Sequence, residues 1–212
     1  MEKLVLYHGS ERIVERPEFM KGVAHNDFGA GFYATKEEAI AKEWACGDGN
    51  DGYVNIYSIS LEGLKVFDIT KEKNASLVWL ALLLKNRRLR IGSAKQKTAR
   101  DFVVENYLPD VRAYDIIVGY RGDDSYFSFA RAFLDGEISF GQLDKMLTLD
   151  KLCLQYALVS DKAVKSLRFS DVLVEDGSDC YYKRKERDSK LREEVLSFVE
   201  KSPKYISDIM ER

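Results

Sequence analysis

The sequence predicts an α+β fold built around one main domain, and three observations point to it. Segments with strand-like alternation and segments with helical periodicity follow one another without a regular strand–helix–strand repeat, which favours α+β over a doubly wound α/β sheet. The 212 residues suffice for one large domain with a full hydrophobic core. Hydrophobic residues make up 45% of the chain and charged residues 32%, as is typical of soluble globular proteins.

The first half of the chain contains three predicted strands and three predicted helices. The first helix lies between Thr35, which is expected to cap it, and Gly47, with Ile40 and Trp44 on its buried face. The third helix is expected to stop before Pro109, because the residue before a proline disfavours the helical conformation. The predicted strands cover 4–7, 32–34 and 53–61, and the other two helices cover 76–88 and 98–108.

The second half opens on a predicted strand and ends on a predicted helix. Ser139 and Gln142 have the spacing of a capping box, which indicates that a short helix begins there. The last helix, over 184–201, places Leu191, Val195, Phe198 and Val199 on one face and fits either a packed or a protruding position. We therefore expect a domain over 1–180 and a helical extension over 181–212. The remaining predicted strands are 114–120, 153–159 and 169–174, and the remaining helices are 124–134 and 161–167.

Composition and charge exclude several classes of function. The net charge of −2 gives no overall attraction to nucleic acid or to a membrane, and the longest apolar run, 77–84, is too short to span a bilayer. The three cysteines, Cys46, Cys153 and Cys180, are far apart, which disfavours a zinc site or a disulfide framework and fits the cytoplasm. With only two histidines in the chain, we expect no metal site.

Two short segments contain candidate binding residues. In Leu6-Tyr7-His8-Gly9-Ser10 a strand ends at a histidine that can bond a ribose hydroxyl, and the glycine lets a ligand approach the backbone closely. The second segment, N-D-F-G-A-G-F-Y-A-T over 26–35, is a glycine-rich turn before an aromatic pair. It matches neither G-x-G-x-x-G nor a P-loop, which excludes the usual phosphate loops. Taken alone, each segment also fits a purely structural role.

Together the two segments resemble the NAD-binding motifs of the ADP-ribosyltransferase superfamily, and they are most similar to a bacterial family of uncharacterised domains placed in it. The resemblance extends over roughly residues 4–170 and implies a split β-sandwich, with two small sheets around an NAD cleft and helices outside. In that superfamily a histidine on the first strand holds the nicotinamide ribose and a tyrosine on the next motif strand stacks on the nicotinamide. His8 and Tyr33 occupy these places. Later matching segments are Y-D-I-I-V-G-Y over 114–120, D-D-S-Y-F over 123–127, and Gln155.

The resemblance implies NAD as the substrate and a set of site residues. The catalytic residues would be His8, Tyr33 and Gln155. The residues that bind NAD or shape its pocket would be Gly9, Ser10, Asp27, Gly31, Phe32, Asp123 and Asp124.

Gln155 departs from the superfamily pattern, which most often has a glutamate at this position. Strand alternation puts Gln155 between Cys153 and Ala157 on one face, where the small neighbours would leave room for a ligand. A glutamine can hydrogen-bond a ribose hydroxyl but cannot accept a proton. The open alternatives are an acceptor that is already nucleophilic, a carboxylate elsewhere in the chain, NAD hydrolysis, or a module that binds NAD or ADP-ribose without turnover. The candidates for such a carboxylate are Asp123, Asp124 and Glu175.

The implied reaction breaks the nicotinamide–ribose bond through an oxocarbenium-like state, as in glycoside cleavage. ADP-ribose would then pass to an unknown acceptor, a protein or a nucleic acid. By analogy with toxin domains, the resemblance further implies a toxin of a toxin–antitoxin or phage-defence pair, with an antitoxin as partner and no membrane association.

Two basic runs lead to a different hypothesis. Residues 85–100 contain seven Lys or Arg residues and no acid, whereas 183–190 contain five basic residues and two acids. Such runs are usually solvated surfaces. The functional alternative is a cradle for the pyrophosphate of NAD or for a nucleic acid, and an RNA-binding protein would use the first run.

Overall fold

The computed structural model describes residues 3–21, 25–46, 50–122, 124–149 and 154–211, and in two helices the side chains at 124–125 and 178–184 lie outside this description. Strands from the whole chain form one mixed sheet. They are β1 (Leu4–Ser10), β2 (Phe32–Thr35), β3 (Gly52–Ile59), β4 (Val66–Asp68), β5 (Ile116–Tyr120), β6 (Leu154–Leu158) and β7 (Arg168–Glu175). The strand order is β4-β5-β6-β2-β1-β3-β7.

Helices surround the sheet, and the α+β prediction is confirmed. A short 3₁₀ helix, Ile69–Lys71, follows β4. The α-helices in the described part of the chain are α1 (Glu38–Ala45), α2 (Ala75–Asn86), α3 (Ala94–Tyr107), α4 (Asp124–Asp135), α5 (Phe140–Leu149), α6 (Asp161–Lys165), α7 (Gly177–Ser197) and α8 (Ile206–Met210). None of the helices in these ranges is long and apolar enough to cross a lipid bilayer.

The sheet has a narrow seam between β1 and β2. These antiparallel strands share a single registered pair, Tyr7 with Thr35. On either side the pairing is extensive, because β1 runs along β3 from Leu4 to Ser10 and all four residues of β2 pair with β6. The expectation of two separate small sheets is therefore corrected: the described strands form one sheet, in which two well-paired halves meet at this seam.

The two faces of the sheet have separate cores. Helices α2 to α5 cover one face, where Trp79, Tyr126 and Phe133 are almost completely buried. α2 is buried on nearly all sides, which explains the apolar run that the sequence contains there. On the other face Leu6 and Tyr57 pack with residues of α6 in a smaller core. The sheet is thus covered by close-packed side chains on both faces.

The capping box predicted before α5 is confirmed. The backbone N–H of Gln142 donates to Ser139 Oγ (3.1 Å), and the backbone N–H of Ser139 donates to Gln142 Oε1 (2.9 Å). The predicted cap of α1 is wrong. Thr35 belongs to β2, and its hydroxyl accepts the N–H of Glu37 at 3.2 Å, so it closes the turn that precedes the helix.

The C-terminal helix packs against the domain. Leu191 and Val195 of α7 and Ile206 of α8 lie in the larger core. Val199, predicted on the apolar face, is 88% exposed because the helix ends at Ser197. α7 also runs through residue 180, the predicted end of the main domain, and the division there stays a prediction. β4, the 3₁₀ helix and α8 have no counterpart among the sequence predictions, since each is only three to five residues long.

Candidate functional site

A cleft of about 490 Å³ opens at the seam, between the end of β1 and the start of β2. A volume of this size is typical of small-molecule sites. Five residues predicted for the site line it: His8, Ser10, Gly31, Phe32 and Tyr33. The loop after β1, from Arg12 to Glu18, forms the opposite wall with Lys21 and Asn26.

His8 bridges the seam. Its Nδ1 lies 2.6 Å from the carbonyl oxygen of Tyr33. Because a carbonyl oxygen only accepts, Nδ1 must carry the proton, and Nε2 of the neutral ring is left as an acceptor. The ring also packs on Phe32, with centroids 4.4 Å apart. Burial lowers the pKa of His8 below its ordinary value of 6.5, although the bond to the Tyr33 carbonyl opposes this shift.

We expect the pH dependence of stability to report this lowered pKa. Below about pH 6.5 the unfolded chain takes up a proton at His8 that the folded chain does not, so the free energy of unfolding falls as the pH drops from 6.5 towards the folded-state pKa. NMR titration of the ring protons gives the pKa directly, and His8→Asn should remove its share of the slope. A pKa for His8 at or above 6.5 in the folded protein would contradict the buried, neutral ring.

Tyr33 holds the glycine-rich turn against β2. Its hydroxyl donates to the carbonyl oxygen of Gly29 (2.7 Å) and accepts the N–H of Phe28 (3.1 Å). Gly29 has φ +91°, a conformation that favours glycine. Burial raises the pKa of Tyr33, so the phenol stays protonated. The shape of this side of the cleft therefore depends on the Tyr33 hydroxyl.

Asp27 lies just before this turn, and Gln155 lies on β6. The two residues belong to one buried hydrogen-bond network. They are 3% and 4% exposed. Gln155 Nε2 donates to Asp27 Oδ2 (2.7 Å) and to the Tyr120 carbonyl (3.3 Å), and the Gly122 N–H donates to the same carboxylate oxygen (2.8 Å). Arg87 Nε donates to Asp27 Oδ1 at 2.8 Å. The room predicted beside Gln155 is thus filled by the Asp27 carboxylate, and neither residue lines the cleft as it stands.

Gly9 lies on the opposite face of β1 from His8, against α1. A Cβ at Gly9 would lie 2.0 Å from the carbonyl oxygen of Ala41 and 2.5 Å from the N of Ala45. No side chain fits there without moving the backbone. Helix packing alone therefore accounts for a glycine at this position.

Trp44 and Arg121 form an arrangement that sequence reasoning missed. Trp44 was expected only on the buried face of α1, yet it is half-buried, with the Arg121 guanidinium 5.1 Å above its ring. The Trp44 Nε1–H is buried and has no acceptor among the described residues. A buried donor without an acceptor costs free energy, and Trp44 is not among the residues that line the cleft. The signal available in the sequence was a tryptophan predicted to be buried, because its indole N–H then needs a hydrogen-bond acceptor.

Asn55 was also missed, and it shapes the cleft wall. This residue of β3 is fully buried, and its Oδ1 accepts the N–H of Val14 (2.7 Å). Its Nδ2 donates to the His8 carbonyl (3.2 Å) and to Ser10 Oγ (3.0 Å), while Ser10 Oγ donates to the Arg12 carbonyl (2.6 Å). The available signal was an asparagine, a residue type that strands disfavour, inside a predicted strand.

Of the other predicted acidic residues, only Glu175 has a described side chain. Asp123 lies outside the described residues, and Asp124 is the first residue of α4 with its side chain outside the description. Glu175 pairs with Lys42 of α1 at 2.8 Å, beyond the seam. Within the described ranges, no group of three or more His, Cys, Asp or Glu side chains is placed to hold a metal ion.

One known family matches the chain over the region that contains the cleft. The model of the family DUF3990, described as "Protein of unknown function (DUF3990)", matches residues 4–169. The chain belongs to the DUF3990 family. The match runs from the start of β1 into β7, so it includes every described residue that lines the cleft. Neither the curated proteins nor the solved structures contain a match to this DUF3990 chain.

Proposed function

We propose that this DUF3990 protein binds NAD at the seam cleft and cleaves its nicotinamide–ribose bond, acting as an ADP-ribosyltransferase. One observation carries the proposal. His8 and Tyr33, the two residues that resemble the superfamily's NAD-binding pair, are 25 residues apart in the chain and meet at the seam, with His8 Nδ1 2.6 Å from the Tyr33 carbonyl.

The residues at the seam suit this chemistry. The Nε2 of neutral His8 is available to accept a hydrogen bond from a ribose hydroxyl. Nicotinamide leaves as a neutral group, so the site needs no general acid, and its task is to hold the ring and the ribose in the orientation of the oxocarbenium-like state. The turn held by Tyr33 supplies one wall for this purpose.

Gln155 stands where the superfamily most often has a glutamate, and this limits the activation of an acceptor. Its amide is bonded to Asp27 and cannot accept a proton. Transfer therefore favours an acceptor that is already nucleophilic. NAD hydrolysis and binding without turnover are the alternatives, and Gln155 in place of glutamate supports both. A toxin role and an antitoxin partner stay predictions from the resemblance, and a cytoplasmic location stays a prediction from the cysteine pattern.

The test is direct incubation of the purified protein with NAD. We expect nicotinamide release by chromatography and NAD binding by calorimetry. His8→Ala should weaken binding about tenfold or more through loss of a partly buried hydrogen bond, whereas His25→Ala, at an exposed histidine, should not. Labelled NAD added to a lysate would then identify the acceptor as protein, nucleic acid or water. Failure of the wild-type protein to bind NAD would overturn the proposal, and binding without release would favour the non-catalytic module.

A further inference from the structure

A second pocket, of about 400 Å³, lies on the other side of the turn from the seam cleft. His25 contributes to this pocket, and its neighbour Asn26 contributes to the cleft. The other lining residues come from the segment after α2 and from α4. They are Arg87, Arg88, Leu89, Arg90, Phe127 and Arg131.

The charge in this pocket is of one sign. Among the described residues that line it, four are arginines and none is a carboxylate. Arg87 is held by the ion pair with buried Asp27, at 2.8 Å. Arg88, Arg90 and Arg131 are exposed, and none of them has an ion pair with any residue in the described part of the chain.

Some other exposed cations of this protein have acidic partners, as Arg112 has Asp110 at 2.7 Å and Lys165 has Asp161 at 2.6 Å. Others, such as Lys73 and Lys97, have no ion pair with a described residue. What distinguishes the three arginines is that they line one pocket together, in a chain whose net charge is −2. Such a cluster repels itself in the free protein and gains most from an anionic ligand.

We propose that this pocket binds a single-stranded nucleic acid, with Arg88, Arg90 and Arg131 on successive phosphates. The planar guanidinium group bonds phosphate oxygens through two parallel N–H donors. Beside the arginines lies Phe127, half-buried, with the Arg87 guanidinium 5.2 Å from its ring centroid. Flat aromatic and guanidinium surfaces are what unpaired bases stack on.

An acidic polypeptide fits the pocket less well. It would satisfy the positive charge, but the carboxylate side chains that do so carry no ring to stack beside Phe127 and Arg87. The proposal is independent of NAD cleavage, because it uses none of the residues at the seam and binding is measured without NAD. Loss of one activity therefore leaves the other testable.

The test is fluorescence anisotropy of the whole chain with labelled single strands of RNA and of DNA, each about 12 nucleotides long. Three phosphate contacts predict that the logarithm of the binding constant falls with the logarithm of salt concentration with a slope of about −2. R88E/R90E/R131E should weaken binding about tenfold or more. The matched control, K71E/R112E/K165E, changes the net charge equally at lysines and an arginine that are ion-paired elsewhere, and it should bind as the wild type does.

Several outcomes would overturn the proposal. These are no binding by the wild-type protein, an equal loss in the two triple variants, or displacement by polyglutamate as efficient as by an unlabelled strand. Thermal unfolding of both variants establishes that they fold, and R88Q/R90Q/R131Q repeats the test without charge reversal. A duplex that binds as tightly as the single strand would remove the role of base stacking and contradict the assignment to single strands.

Discussion

Replacing Gly9 by alanine is expected to lower the free energy of unfolding by about 3 kcal/mol. The added Cβ would lie 2.0 Å from the carbonyl oxygen of Ala41 and 2.5 Å from the N of Ala45, both backbone atoms of α1. Backbone cannot rotate aside as a long side chain can, so α1 or β1 must shift as a whole. Urea unfolding followed by circular dichroism measures the change.

The matched control for this substitution is Gly92→Ala. The nearest atom to a Cβ at Gly92 is the far end of the Gln96 side chain, at 3.6 Å, which is ordinary contact. We expect little change in the urea midpoint of that variant. If Gly9→Ala unfolded at the same urea concentration as the wild type, α1 could not lie as close to β1 as the structure places it.

The variant Asp27→Ala is expected to lose a similar amount, about 3 kcal/mol. Asp27 is 3% exposed and accepts hydrogen bonds from Gly122, Gln155 and Arg87. Its removal leaves the buried Gly122 N–H without this acceptor and leaves Gln155 Nε2 with only the longer bond to the Tyr120 carbonyl (3.3 Å). It also leaves a partly buried guanidinium without its counter-charge. The expected loss in the free energy of unfolding is at the lower end of the range for breaking a buried ion pair. The reason is that Arg87 is 32% exposed, so water can partly solvate it.

Asp27→Ala has a second expected consequence, at the seam. Asp27 precedes Phe28, whose N–H donates to the Tyr33 hydroxyl, so loosening Asp27 loosens the turn that lines the cleft. Under conditions where the variant is still folded, we expect weaker NAD binding than in the wild type. The control is Asp110→Ala, whose carboxylate is exposed and pairs only with Arg112 beside it. An Asp27 variant as stable as this control would contradict the buried network.

The sequence predicted most elements because each is encoded by its own residues. The alternating run 53–61 and the apolar run 76–88 correspond to β3 and α2, and the reciprocal bonds of Ser139 and Gln142 follow directly from their spacing. Local sequence patterns fail where an element is very short, or where one residue fits two structural roles. Thr35 has the chemistry of a helix cap but is taken up by the ladder with Gln155 of β6.

The candidate site, too, was predictable from the sequence only in part. The resemblance of two segments to known NAD-binding motifs selected His8 and Tyr33, and the structure brings both to one cleft. The surroundings of Gln155 were not predictable in this way, since alternation specifies the face of a strand and not what packs on it. The neighbour that fills this space, Asp27, comes from 128 residues away in the chain.

The sequence by itself determined the fold class, most of the helices and strands, and the two segments that meet at the seam. The fold class and the elements depend on periodicity, capping and turn chemistry, which act over a few residues, whereas the two segments were selected by their resemblance to known motifs. Only the tertiary structure decided that the sheet narrows to a single pair between β1 and β2, that Asp27 occupies the space beside Gln155, and that Arg131 joins Arg88 and Arg90 in one pocket. These features arise from contacts between distant segments, where packing and the pairing of buried polar groups outweigh local preference.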